Sequence, residues 1–246
     1  MSAIALSAAM PTASLRNLNL EYNFIGAASC DTRRDTSHND VLEGFQALGS
    51  ALKQNITLTS LNVSSNRMGP KGAAAFADGM ANGSLRTLDL SNNEVVGVPV
   101  FVAASRVVGT DLSPGSKVTL DGNEMTVLKY GIQQLEYTTR PTVVVRDWSG
   151  ILAIAQALKV PSRIETLILD KNSLSSYPDS KLGNTEYPEG MQALGEGFRM
   201  NTTLQCLSLK CTNLGPLSAS ALGILAVSNG LLPGTIINIT DLVLRR

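Results

Sequence analysis

The side chains that could carry chemistry are few and far apart. The single histidine, His38, shares a polar stretch with Cys30, and two ligands do not make a zinc site, which needs three or four. Cys206 and Cys211 are spaced like neither a redox pair nor a zinc knuckle, so both read as structural thiols. No phosphate-cradling Gly-x-x-x-x-Gly-Lys-Ser loop and no dinucleotide fingerprint occurs. The sequence therefore predicts no catalytic, cofactor-binding or metal-ligating set and no bound cofactor. What remains is recognition chemistry, carried by aromatic rings and cations outside the regular pattern. Tyr22, Trp148, Tyr177 and Tyr187 fall at or near loops, Arg33 and Arg34 sit in the stretch with His38, and Lys210, Val243 and Arg245 end the chain's last strands. Aromatic and arginine side chains are the usual anchors of protein contacts.

These residues must be positioned by something, and a repeat supplies it. An apolar residue, two free positions, apolar, one free, apolar, two free and then Asn recurs as Leu58, Leu61, Val63 and Asn66. The same spacing fits Leu15, Leu18, Leu20 with Asn23, and Leu85, Leu88, Leu90 with Asn93. Gly115, Val118, Leu120 and Asn123 give a degenerate match, and Ile164, Leu167, Leu169 and Asn172 a good one. Leu204, Leu207 and Leu209 follow with Thr212 in the Asn place, and Ile239, Leu242 and Leu244 close the series. Alternation in the middle of each unit predicts a short half-buried strand. The Asn follows because a chain turning away from a buried strand needs an amide that can both donate and accept.

Between units a second pattern predicts helices, clearest in Gly69-Pro70-Lys71-Gly72-Ala73-Ala74-Ala75-Phe76 and repeated at residues 44–55 and 190–201. Small residues let these helices lie close to the sheet. With Asn66-x-Met68-Gly69-x-x-Gly72-Ala73, Asn23-x-Ile25-Gly26-Ala27 and Asn213-Leu214-Gly215 in view, the chain resembles the long, helix-bearing leucine-rich repeats of ribonuclease inhibitors, NOD-like receptors and Ran GTPase-activating proteins. The resemblance implies an α/β leucine-rich repeat solenoid, curved, with parallel strands on the concave side and helices on the convex side. Seven to eight repeats are expected, the eighth from Val143, Val145 and Trp148.

Residues 1–246 are expected to form one repeat domain, since each unit buries its apolar side against its neighbours. Residues 1–14 read as a short lead, with insertions near 27–43, 124–150 and 175–189, the last holding two Tyr-Pro pairs. Lys and Arg total 20 against 20 Asp and Glu, a neutral balance that argues against nucleic acid as the main partner. No apolar run approaches the roughly 18 residues of a membrane span. Three cysteines form no even framework, which points to free thiols in a reducing, cytoplasmic setting. Asn-x-Ser/Thr triplets begin at Asn55, Asn62, Asn82, Asn201 and Asn238, and three of them stand at helix ends where the repeat itself calls for Asn.

Side chains between the strand leucines form a row on the concave side: Asn19, Asn62, Asp89, Thr119, Ile168, Ser208 and Val243. The next row runs Glu21, Ser64, Ser91, Asp121, Asp170, Lys210 and Arg245. Both are poor in aromatics, so the insertions are expected to carry more of the contacts than the concavity does. The leading expectation is a non-catalytic protein-protein interaction or scaffold module, a structural subunit of a larger intracellular assembly. Likeness to the Ran regulators implies a GTPase-activating alternative using Arg33, Arg34 or Arg67. Likeness to NOD-like receptors implies a ligand-sensing fragment.

Overall fold

The computed structural model describes residues 3–25, 39–81, 83–135, 138–175, 188–227 and 236–238. The chain runs through α1 (Ala3–Ala9), β1 (Asn17–Asn19), α2 (Asn39–Gln54), β2 (Ser60–Asn62), α3 (Gly69–Ala77) and β3 (Thr87–Asp89). It then forms β4 (Val100–Ala103), β5 (Val107–Val108), β6 (Lys117–Leu120), β7 (Asn123–Leu135) and β8 (Thr138–Arg146). The repeat resumes with α4 (Ser149–Leu158), β9 (Thr166–Ile168), α5 (Glu189–Met200), β10 (Cys206–Ser208), α6 (Pro216–Val227) and β11 (Ile236–Asn238).

Two sheets result. Six parallel strands stand in the order β1-β2-β3-β9-β10-β11, and five others in the order β4-β8-β7-β6-β5. The parallel sheet keeps one register throughout, with Leu18, Leu61, Leu88, Leu167, Leu207 and Ile237 side by side. In β2, β3 and β9 the central apolar residue is flanked by more exposed neighbours, the half-buried alternation expected of the repeat. The helices follow the strands in neighbouring pairs, α1 against α2 and so on to α6. Phe45 and Phe76 meet edge-on between α2 and α3, their centroids 6.3 Å apart. Met10, just after α1, is 2% exposed and joins this core, so the lead covers the first layer.

Glycine is required where α4 begins. A Cβ on Gly150 would lie 2.2 Å from the carbonyl oxygen of Val95 and 2.8 Å from that of Pro70, so only glycine lets α4 settle onto α3.

A ladder of asparagines ties the layers together. The Asn66 Oδ1 accepts from the amides of Asn23 and Ile25, while its Nδ2 donates to Leu20, Val63 and Ser64 carbonyls. Asn93 does the same one layer on, accepting from Asn66 and Met68. Asn172 accepts from Asn93 and Val95. Thr212 offers only its hydroxyl, which donates to Leu209 at 2.7 Å, and the amide of Leu174 turns instead to the Thr212 carbonyl. A second set stands at the helix ends: Asn55 and Asn201 each accept from the amides two and three residues on, and donate to Met10 and Leu158 carbonyls in the preceding layer. Two of the Asn-x-Thr triplets are thereby accounted for as structure.

The repeat count needs correction. Val118 and Leu120, expected in a degenerate repeat, belong to β6 of the antiparallel sheet. Val143 and Val145, expected in an eighth layer, belong to β8, paired antiparallel with β4 and β7. The parallel sheet has six strands among the described residues, and the insertion runs from Gly97 to Asp147 rather than beginning at 124. Asp121 and Gly122 both take positive φ, 49° and 80°, so Leu120 and Asn123 close a tight hairpin of the Asp-Gly kind. At the C-terminal end, Ile237 pairs with Leu207, so the last described strand is Ile236–Asn238. The strand expected at Leu242 to Leu244 lies outside the described residues.

Candidate functional site

On the parallel sheet the polar row is held rigid by its own backbone. Oδ1 of Asn19 accepts from the amide of Glu21, Oδ1 of Asn62 from Ser64 and Oδ1 of Asp89 from Ser91, each at 2.9 Å. The bond repeats because each strand ends where the chain bends toward a left-handed position, Tyr22, Ser65 and Asn92 having φ between 53° and 60°. Asp89 also takes the Ser91 hydroxyl at 2.5 Å. One layer further on Ile168 breaks the pattern, and the anchor moves to Asp170, whose Oδ1 accepts from the Ser208 hydroxyl at 2.6 Å and from the Lys210 amide at 2.8 Å. The face therefore offers fixed acceptors and hydroxyls, Asn62, Asp89, Thr166 and Asp170 being half-buried.

The second part of the site is the junction of the two sheets. The insertion leaves at Gly97 and returns at Asp147, and the Gly97 amide donates to the Asp147 carbonyl at 2.9 Å. Arg146, the last residue of β8, turns inward and is 1% exposed. Its Nε donates to the Gly97 carbonyl at 2.7 Å, and its terminal nitrogens donate to Ser173 at 2.5 Å and Ser175 at 3.4 Å, in the loop after Asn172. The planar guanidinium suits this, presenting several donors in a fixed fork. Farther out, Lys117 of β6 pairs with Glu189 at the start of α5, and the Thr126 hydroxyl donates to the same carboxylate at 3.2 Å. The antiparallel sheet has its own small core of Val102, Val118, Leu120, Met125, Val127, Val143 and Val145, apart from that of the repeat.

The expected contact residues divide. Tyr22 is 67% exposed beside Asn23, next to Phe24, over whose ring the Arg67 guanidinium sits at 5.2 Å. Lys210 is exposed at the rim of the sheet, one position after the buried Leu209. Trp148 is not a surface residue: it is 2% exposed, precedes α4, and lies against the start of α5, where a Cβ on Gly190 would come 3.1 Å from its ring. Arg33, Arg34, Tyr177, Tyr187, Val243 and Arg245 lie outside the described residues, as do Cys30 and His38. Cys206 is half-buried on the strand face and Cys211 is exposed. Among the described residues no three His, Cys, Asp or Glu side chains gather as a metal set, and no helix is long and apolar enough to cross a membrane.

Sequence reading missed the inserted sheet and the exposed apolar residues it presents, Val98, Val100, Val108 and Tyr130. The signal was present in Asp121-Gly122 between two alternating runs, a pattern that outranks a loose match to a repeat template.

Models of the leucine-rich repeat match residues 54–77 and 201–223, and a second such model matches residues 84–102. The matches cover β2 with α3, β10 with the start of α6, and β3 through the Asn93 turn to β4. No curated protein matches the sequence. Strand register, asparagine ladder and family models agree that residues 54–77, 84–102 and 201–223 carry leucine-rich repeat motifs, modules that generally mediate protein-protein interaction.

Proposed function

We propose that the chain is a non-catalytic protein-binding module that works as a subunit of a larger intracellular assembly, with the polar strand face as the binding surface. The observation that carries this reading is the repeated 2.9 Å bond fixing Asn19, Asn62 and Asp89 before any ligand arrives. Side chains already ordered lose little entropy on binding, so their remaining hydrogen-bonding capacity is available to a partner. Tyr22 and Lys210 flank the row at its two ends and supply an aromatic and a cationic contact. In this reading the repeats and the inserted sheet act as one domain, and the stack is a short solenoid of the kind the sequence resembles.

The test is co-purification of the tagged full chain from its native cell, comparing the parent with an N62R/D89R variant. Partners identified by mass spectrometry from the parent and lost from the variant support the proposal. A folded parent chain that retains no partner, or partners indifferent to N62R/D89R, would overturn it.

A further inference from the structure

In the turn after β1, β2, β3 and β10 the ladder residue stands between two left-handed positions. Tyr22 and Phe24 have φ of 60° and 51°, Ser65 and Arg67 of 58° and 54°, Asn92 and Glu94 of 53° and 54°, and Cys211 and Asn213 of 55° and 56°. Such backbone is uncommon for any residue but glycine, is best tolerated by asparagine, and is least favourable for a bulky side chain. The later layers comply: Asn92 donates to the Ser65 hydroxyl and Asn213 to the Ser173 hydroxyl, so these turns bind one another along the rim. The first layer instead places an aromatic ring at both positions. Burial does not account for the choice, since Tyr22 is 67% and Phe24 45% exposed.

Arg67, one layer on, completes the patch with its guanidinium 5.2 Å from the centroid of the Phe24 ring. A satisfied version of this pairing exists in the same molecule. Arg146 lies 4.8 Å from the Trp148 ring, and its N–H groups donate to the Gly97, Ser173 and Ser175 carbonyls. A ring occupies only the face of a guanidinium and leaves the donors on its edge open. Arg67 is exposed, and its guanidinium makes no hydrogen bond or ion pair among the described residues. It is held on one face and unanswered at its edge.

We propose that Tyr22, Phe24 and Arg67 form a docking site for a protein segment that presents one Asp or Glu carboxylate beside an apolar side chain. The carboxylate accepts two N–H bonds from the edge of Arg67, while the apolar neighbour covers the rings of Tyr22 and Phe24. Charge selects this occupant over a polyanion. Exposed Glu21 precedes Tyr22, and exposed Glu94 holds in the next layer the position that Arg67 holds in its own. One cation between two carboxylates suits a single negative charge and repels a phosphate chain. The site rests on reading the chain as a protein-binding module, and it places a contact on the rim of the first layers.

A displayed library of random dodecapeptides, selected on the immobilised full chain, tests this. Binders should carry Asp or Glu next to an apolar residue, and R67E should weaken them by about tenfold or more. Exchanging the acidic residue of a binder for Arg should restore binding to R67E. Y22S and F24N should weaken the same peptides without unfolding the chain, because Ser65 and Asn213 show that these turns accept such residues. Circular dichroism and Trp148 fluorescence check the fold of each variant. A library that yields no acid-bearing binder, or binders indifferent to R67E, overturns the proposal. Peptides lost to N62R/D89R and indifferent to R67E belong to the strand face, which overturns this site and leaves the wider reading standing. Peptides that obey the charge exchange, on a chain that co-purifies with no cellular partner, uphold the site and count against the wider reading.

Discussion

The guanidinium carbon of Arg146 lies 4.8 Å from the ring centroid of Trp148, at the point where the inserted sheet rejoins the repeats. The pairing joins two different structures: Arg146 ends β8 of the antiparallel sheet, and Trp148 belongs to the repeat core. Because the same guanidinium donates to carbonyls of Gly97, Ser173 and Ser175, one side chain fixes the exit and the return of the insertion and the next layer's turn.

Arg146→Met keeps much of the volume and removes the donors. Three buried or half-buried carbonyls are then left without a charged donor, and leaving such groups unsatisfied costs about 3 kcal/mol. Urea unfolding should show a fall of that size. Trp148, the sole tryptophan, reports the same event through a red-shifted emission as water reaches its ring.

Much of this frame was legible in the sequence, because the leucine spacing and the closing Asn are each dictated by burial. The apolar residue must face inward in every layer, and the turn after it must be satisfied inside the protein. The inserted sheet was not legible to the same reading. Val118, Leu120 and Asn123 satisfy the spacing of a repeat by chance, since any alternating strand followed by a turn residue looks similar over nine positions. The place of Trp148 is hidden for a related reason: a lone aromatic next to polar residues looks like a surface anchor, and only the packing of α5 shows that it is core. The Asn55 and Asn201 bridges could have been found from the sequence, since each is followed two residues later by Thr and three later by Leu.

The ladder makes a graded prediction. Asn93→Ala strips acceptors from the amides of Asn66 and Met68 and donors from Val63 and Leu90 carbonyls, all in the interior. A loss of about 3 kcal/mol is expected on chemical unfolding, with Asn66→Ala and Asn172→Ala similar. Thr212→Ala removes one bond, to Leu209, and should cost about 1 kcal/mol. If all four substitutions cost the same, hydrogen bonding does not set the order.

Asp111 gives a pH prediction. Bonds from the Ser113 hydroxyl, then the Ser116 hydroxyl, then the Ser113 amide hold its carboxyl down at about 2, against an ordinary 3.8. A folded value below the unfolded one means that the carboxylate's contribution to the turn is fully present above pH 3.8 and fades as pH falls toward 2. Carboxyl chemical shifts should show Asp111 ionised down to about pH 2, and Ser113→Ala should move the titration upward toward the ordinary value.

Excising the outer part of the insertion separates the two halves of the molecule. The Gly97 amide and the Asp147 carbonyl are 2.9 Å apart, so a short Gly-Ser linker in place of residues 99–144 can span the root without stretching it. Arg146 stays, and with it the bonds to Gly97, Ser173 and Ser175. Excision takes from the repeat the Lys117–Glu189 pair and the Thr126 bond, and an exposed ion pair contributes only about 0–1 kcal/mol. All of the antiparallel sheet's core except Val145 goes with it, and that core is separate from that of the repeats. The shortened chain should therefore keep buried Trp148 emission and a cooperative melt close to that of the parent. Disappearance of the cooperative melt would mean that the inserted sheet supports the repeats as well as standing on them.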